Sequence, residues 1–374
     1  MSSEKMPLVS AAAGCQRGPV PFKDVAVVAA GDDGAVAAMA HRPLTDPEDE
    51  DYDELIATLP CKPPTPLMRR MRLYHGGWFP EKWLPAIMAF RRRFEARDGD
   101  IVVASLPKCG TTWLKALAFA TAARGTYPPP PVAGGGGGDD GDRRHPLLRL
   151  NPHECVPFLE SVYSSMEEES KLNATPSIRL LSTHLPYSVL PASITDSSQC
   201  KIIYVCRQPK DMLISFWHFI NRDKSRDVSL SYVWESVREC TYFGSPIWNH
   251  ILGYWNASKV KPNNVLILKY EDMKRNPTEN VEKIAEFMGQ PFSNAEKEAG
   301  IIDNIVELCS FEKMKALGAS MAGSQKVLST EFPNDSFFRK GAIGDWVNHV
   351  TPEMAESLDK LLSEKFDGSG FTFM

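Results

Sequence analysis

Residues 100–113 read DIVVASLPKCGTTW, and their order of residue types decides the fold. Asp100–Ser105 is a short apolar, β-branched run of the kind that forms a buried strand. A turn with one glycine follows, and from Thr111 to about Ala123 the spacing predicts a helix. Gly110 allows backbone N–H groups to face an anion, and the start of the helix adds its partial positive charge. Lys108 supplies a mobile cation, and Thr111 and Thr112 supply hydroxyl donors. The stretch is a phosphate loop in kind but not a Walker A motif, because Ser105 stands for the first glycine and Thr111 for the lysine.

The pattern repeats outward from this unit. Ile178–Thr183 (IRLLST), Lys201–Cys206 (KIIYVC) and Val265–Tyr270 (VLILKY) read as further strands. Pro209 opens a helix with Met212, Leu213, Phe216 and Phe219 at helical spacing, and 277–289 reads as an amphipathic helix ending at Gly289. Strands alternating with helices predict a P-loop-like α/β fold, a mostly parallel sheet with helices on both faces in a single catalytic domain. Ligands bind beyond the carboxyl ends of such strands.

Two segments stand apart. Residues 1–62 form an expected disordered extension: 1–40 is rich in Ala, Val and Gly, and 45–54 is an acidic run. Glu4, Asp24, Asp32 and Asp33, with no Arg-rich stretch, argue against a transit peptide. The domain is expected over 63–374, interrupted by YPPPPVAGGGGGDDGDRRHP at 127–146, which reads as a disordered surface loop.

Composition narrows the classes. The 374 residues are 43% hydrophobic and 24% charged, with 42 Lys+Arg against 47 Asp+Glu for a net charge of −5. No global basic field points to nucleic acid, and no apolar run approaches the roughly 18 residues of a membrane span. The eight cysteines form no CxxC pair, so a reducing, cytoplasmic setting is expected rather than a disulfide framework or zinc site.

The strand ends carry the chemistry. Arg207 follows KIIYVC and offers a bidentate fork for phosphate, with Ser215 two turns along the next helix. Phe338–Trp346 (FRKGAIGDW) places Arg339 and Lys340 before Gly341 and Gly344, a second candidate clamp. His184 follows IRLLST and is a candidate general base, with a structural hydrogen-bonding histidine as the other reading. The other histidines lack metal-ligand spacing, and no metal is expected. Glu271-Asp272 reads as a helix start, with Asp272 as N-cap, rather than a magnesium site. Two or three anion sites without a Walker lysine suit a donor with separated phosphate groups and a transferred group that needs no Mg²⁺.

These residues resemble the cytosolic sulfotransferases, and in particular their plant branch. Lys108–Trp113 (KCGTTW) is similar to the family's 5′-phosphosulfate-binding loop, and Tyr204–Ser215 (YVCRQPKDMLIS) to its 3′-phosphate-binding segment. Arg339-Lys340-Gly341 with Gly344-Asp345-Trp346 resembles the RKGxxGDW motif. Asn151–Glu160 (NPHECVPFLE), Ser182–Pro186 (STHLP) and Tyr270–Lys274 (YEDMK) match plant members. The resemblance spans about residues 65–374. It implies transfer of a sulfuryl group from 3′-phosphoadenosine 5′-phosphosulfate to a hydroxyl of a small acceptor. It further implies that His184 removes the acceptor proton and that Lys108 stabilises the bridging oxygen of the leaving group. Cys109, Gly110, Thr111 and Thr112 would hold the 5′ side, and Arg207, Ser215, Arg339, Lys340 and Gly341 the 3′-phosphate. Trp113 and Phe311 would sandwich the adenine, with Phe243 beside it.

Three positions depart from the family. Val347 stands where GxxGxxK would end in Lys, Cys109 where Ser is common, and Phe243 where an adenine-side tyrosine is expected. Apolar and aromatic residues in 66–90 and 232–255 are candidates to line an acceptor pocket, although aromatics at such spacing more often form core. Flavonoids, brassinosteroids, hydroxyjasmonate, desulfoglucosinolates and strigolactone precursors are all acceptors of plant relatives, and no residue selects among them. Two other readings stand beside this one. The first is a P-loop kinase, which would require lysine at 111 and metal dependence. The second is a weakly catalytic nucleotide- or hormone-binding descendant.

Overall fold

The computed structural model describes residues 18–26, 51–64, 69–132, 144–222, 227–244, 246–321, 323–327 and 330–373. Four parallel strands form the central sheet in the spatial order Leu180–Thr183, Ile101–Ser105, Lys201–Cys206, Val265–Lys269. Val103 pairs with Ser182 on one side and Ile203 on the other. The chain runs from the Ile101 strand to one neighbour and then crosses back to the other. The point where strand order reverses therefore lies beyond Ser105, at the phosphate-loop stretch.

Alternation along each strand divides the core into two layers. Val102, Ala104, Ile202 and Tyr204 face one layer, with Met212, Leu213 and Phe216 of helix Pro209–Ile220 and Ile251 and Tyr254 of helix Ile247–Val260. Ile101, Val103, Ile203 and Val205 face the other, with helix Thr111–Ala123 and with Val281, Ile284 and Ala285 of helix Pro277–Phe287. Both faces of the sheet are thus covered by helices, as the run of fully buried strand residues demands. A buried ion pair anchors the sheet's amino edge. Arg179 donates to Asp100 through Nε (2.8 Å) and Nη2 (2.5 Å), with both side chains almost wholly out of solvent. The strand expected from Ile178 begins at Leu180, after this anchor.

Several expected boundaries shift. Tyr270, expected to end its strand, instead opens helix Tyr270–Arg275; Lys269 takes the cap position, and Asp272 lies in the first turn, accepting from Arg275 at 2.8 Å. The expected disordered extension is corrected in part. Phe22 is buried, Arg149 pairs with Asp24, and Lys23 reaches Glu154 at 2.5 Å. Helix Asp51–Thr58 buries Ile56, and Cys61–Lys62 pairs with Met71–Tyr74, which in turn pairs with Gly77–Pro80. Residues 1–17 and 27–50 lie outside the described residues.

The expected loop at 127–146 also shortens. Val132 N–H donates to Asn304 at 2.9 Å and His145 is buried against Phe119, while 133–143 lie outside the described residues. The hairpin Ser324–Val327 with Thr330–Pro333 was not expected from the sequence. Among the described residues no cysteine is paired, no group of three His, Cys, Asp or Glu side chains is placed to hold a metal ion, and no helix is long and apolar enough to cross a membrane.

Candidate active site

A cleft of about 830 Å³ opens beyond the carboxyl ends of the strands, and Lys108, Thr111, Thr112, His184, Arg207 and Arg339 all line it. The phosphate-loop turn is built by two left-handed residues, Lys108 (φ 68°) and Gly110 (φ 100°). A Cβ at Gly110 would lie 2.6 Å from the Tyr270 ring, so glycine is required both for the turn and for the close approach. Lys108 pays a conformational penalty that persists only where its surroundings hold it. The Arg207 guanidinium donates to its carbonyl at 3.4 Å, and Phe219 lies under its Nζ at 4.0 Å. Ser105 Oγ and Thr111 Oγ1 share a hydrogen bond at 2.6 Å, fixing the first turn of the helix against the strand end.

The second cluster reaches the first through Asp211. Its carboxylate is buried and accepts the N–H groups of Gly344 (2.7 Å) and Trp346 (3.1 Å). This ties the Phe338–Trp346 loop to helix Pro209–Ile220, and Arg207 Nη2 adds a bond to the Ala342 carbonyl at 2.7 Å. Arg339 and Lys340 are held by Asp345 at 2.6 and 2.8 Å. These cations hold the Asp345 carboxyl far below the usual carboxylate range despite its burial. A Cβ at Gly341, which has φ 61°, would lie 2.5 Å from Phe311.

The cleft carries more positive charge than its own acids neutralise. Burial, with Arg222, Arg207 and Arg339 close by, pulls the Lys108 ammonium down to about 7. The Nε atoms of Arg207 and Arg339 are buried without a hydrogen-bond partner. Orphaned guanidinium donors around a destabilised ammonium are the signature of a site shaped for a polyanion. The residues present therefore fit a donor with two phosphate groups.

His184 stands opposite this field. Its Nδ1–H donates to the Ser105 carbonyl at 2.8 Å, which leaves Nε2 as the proton-accepting nitrogen. Its backbone N–H donates to Glu160 at 2.8 Å, and its ring lies against Phe158. Burial first, then Lys115, His250 and Lys108, lower its pKa to about 3, against the raising effect of the Ser105 bond. The imidazole is neutral and can take a proton.

The structure gathers His184, Lys108, Gly110, Thr111, Thr112, Trp113, Arg207, Ser215, Phe243, Phe311, Arg339, Lys340 and Gly341 on one cleft. One expectation is corrected. Cys109 is not on the wall: its thiol is buried in the core, and burial pushes it up to about 12. The turn that aims Lys108 at the cleft sends the next side chain inward. Phe243 lines the same cleft, packed edge-on against Trp83 (5.0 Å) and Phe79 (6.1 Å).

Beside Trp113 lies the Tyr270 ring, at 5.7 Å and under the Arg207 guanidinium. Sequence reasoning missed Tyr270 and His153, although both stood in motifs it had quoted. Glu271, once weighed as a metal ligand, accepts the Gln208 N–H at 3.0 Å and braces the Arg207 turn. Val347, the position lacking the family lysine, is 60% exposed and outside the cleft wall.

An α/β phosphate-loop fold with a cationic cleft and a facing neutral imidazole defines a group-transfer enzyme that takes a polyanionic donor. The pattern of a sulfotransferase domain matches residues 98–370, and the chain belongs to the sulfotransferase family. It is 40% identical over 305 residues to cytosolic sulfotransferase 6 of Arabidopsis thaliana, covering 80% of this chain and 88% of that one. It is 40% identical over 325 residues to a flavonol 3-sulfotransferase of Flaveria bidentis, covering 85% and 98%.

Among solved structures, an Arabidopsis thaliana sulphotransferase provisionally assigned to steroids superposes with a TM-score of 0.66 at 35% identity, covering 87% and 98%. A mouse sulfotransferase in complex with PAP superposes with a TM-score of 0.59 at 25% identity, covering 80% and 96%. The chain is a plant-type sulfotransferase that transfers sulfate from 3′-phosphoadenosine 5′-phosphosulfate, and the cytoplasmic setting expected from its cysteines agrees with the naming of these relatives.

Proposed function

We propose that this sulfotransferase sulfates a hydroxyl of a small, largely apolar plant metabolite, with His184 as general base and Lys108 as stabiliser of the leaving group. The observation that carries the reading is the His184 tautomer. With Nδ1–H committed to Ser105, Nε2 is the basic atom, and it belongs to the cleft that also holds Lys108, Arg207 and Arg339.

The bound donor supplies an activated sulfuryl group whose charge is low enough to be met by side chains and backbone donors rather than a metal clamp. Arg207, Ser215, Arg339, Lys340 and the Gly341 backbone would hold its 3′-phosphate. Gly110, Thr111 and Thr112 would hold the 5′ side, and Trp113, Phe311 and Tyr270 the adenine. His184 Nε2 accepts the acceptor's hydroxyl proton as the new O–S bond forms and the S–O bond to the bisphosphate breaks. Lys108 meets the charge that collects on the released phosphate oxygen. A pKa of about 3 keeps the free ring neutral, and the donor's negative charge favours the imidazolium as it forms.

At the acceptor end, Pro80, Trp83, Phe158 and Phe243 offer an apolar wall, with Arg69 and Lys82 also lining the cleft. Flavonol and steroid relatives support a small hydroxylated acceptor of that shape. The test is sulfate transfer from labelled donor to a panel of hydroxylated flavonoids, steroids and jasmonates, with and without EDTA. Product formed equally in both supports the reading; a rate abolished by EDTA, or no product with any acceptor, contradicts it.

A further inference from the structure

Helix Thr111–Ala123 carries a lysine that the transfer step does not use. Lys115 is wholly buried one turn beyond the phosphate loop. Its Nζ donates to the Val156 carbonyl at 2.9 Å, lies 3.3 Å from the centre of the Phe158 ring, and is 2.9 Å from His153 Nδ1. The other nitrogen of that ring, His153 Nε2, is 3.0 Å from Thr112 Oγ1. His153 and Thr112 both line the cleft, and His153 is itself nearly buried, stacked on Phe158.

The chemistry of the three groups fixes the direction of this chain. An ammonium has only donors to offer, so His153 Nδ1 must accept from Lys115. The ring proton is then on Nε2 and is donated to Thr112 Oγ1. A hydroxyl that accepts from His153 keeps its own proton for another partner, and the open side of Thr112 is the cleft. Were Lys115 neutral it could accept from Nδ1–H instead. The ring would then accept from Thr112, and the hydroxyl proton would turn away from the cleft. Burial lowers the Lys115 pKa well below its ordinary value, and the Glu160 carboxylate acts in the opposite sense. A polyanion in the cleft adds to the Glu160 side, so the donating arrangement belongs to the loaded site.

We infer that Lys115 and His153 are positioning residues that aim the Thr112 hydroxyl proton at the 5′-phosphate of the bound nucleotide. The inference rests on the sulfuryl-donor reading of the cleft and extends it to a layer behind the residues that touch the ligand. Lys115→Met fills the same space without a donor. It should weaken adenosine 3′,5′-bisphosphate by about tenfold, the usual worth of one charge-assisted hydrogen bond. Adenosine 3′-monophosphate, which lacks the 5′ group, should stay within twofold. Thr112→Val added to Lys115→Met should cost little more, because both changes remove the same bond.

Histidine ¹⁵N spectra of the bisphosphate-loaded wild type read the ring directly, whatever the fate of the variant. They should show His153 protonated at Nε2. Equal losses for the two nucleotides, additive effects of the two substitutions, or an Nδ1–H ring would overturn the inference alone. Failure of the wild type to bind the bisphosphate would overturn the donor reading with it.

Discussion

The two ends of the cleft are made differently. At the end proposed for the donor, Lys108 and Arg207 follow strand termini and the loops are cross-tied. Asp211 holds the Gly344 and Trp346 amides, Arg207 bonds the Ala342 carbonyl, and Gly110 and Gly341 are glycines because Tyr270 and Phe311 fill the space where a Cβ would go. At the end proposed for the acceptor, the wall is assembled from the Gly77–Pro80 strand, the turn around Phe243 and the edge of Phe158, and it is held by ring packing. Directional bonds at one end leave little freedom for the ligand to vary. Apolar packing at the other tolerates substitutions of similar volume. On the proposed reading, the cross-tied end takes one constant donor and the apolar wall is the part that can change to suit different acceptors.

The sharpest break between the two ends should come at the group between them. His184→Ala is expected to lower turnover by roughly 10²–10⁴-fold, the range for a positioned base, with bisphosphate affinity kept within twofold in calorimetry. Wild-type turnover in that variant would remove His184 from the transfer step. Next in size is Arg207→Ala. Losing hydrogen bonds to a charged group, at about 1.5–3 kcal/mol, should weaken adenosine 3′,5′-bisphosphate about 10–100-fold while hardly changing adenosine 5′-monophosphate. Equal losses on both would show that Arg207 shapes the loop rather than reading the 3′-phosphate.

The Lys108 ammonium sharpens the contrast through pH. In the free protein its pKa is lowered to about 7 by burial and three arginines, and a bound polyanion raises it. The complex then holds more protons than the free protein above pH 7, so affinity should fall as pH rises, by up to about tenfold per unit. Titrations at pH 8 in buffers of different ionisation enthalpy should report proton uptake; proton release would reverse the assignment. The smallest effect belongs to the acceptor end. Phe243→Leu should change the acceptor KM several-fold and leave bisphosphate affinity unmoved; weaker bisphosphate binding would return Phe243 to the adenine.

This division also explains what could be read in the sequence. The four strands and the helices at 111–123 and 209–220 were legible, because buried parallel strands are short apolar runs and the helices follow them at fixed offsets. Lys108 and Arg207, both on the cleft, were legible for the same reason: each sits in the turn directly after a strand. Cys109 was misplaced because the direction of its side chain depends on the left-handed turn at Lys108, which no residue type announces. The packing of Phe22 and of helix Asp51–Thr58 was hidden by their low-complexity and acidic flanks.

The central claim is that the cationic end of the cleft holds a nucleotide carrying both 5′- and 3′-phosphates without a metal. Calorimetric titration of the purified protein with adenosine 3′,5′-bisphosphate in EDTA, against ATP with Mg²⁺, tests it most directly. The account predicts micromolar binding of the bisphosphate alone and at least tenfold weaker binding of Mg-ATP. A preference for Mg-ATP, or no binding of the bisphosphate, would contradict it.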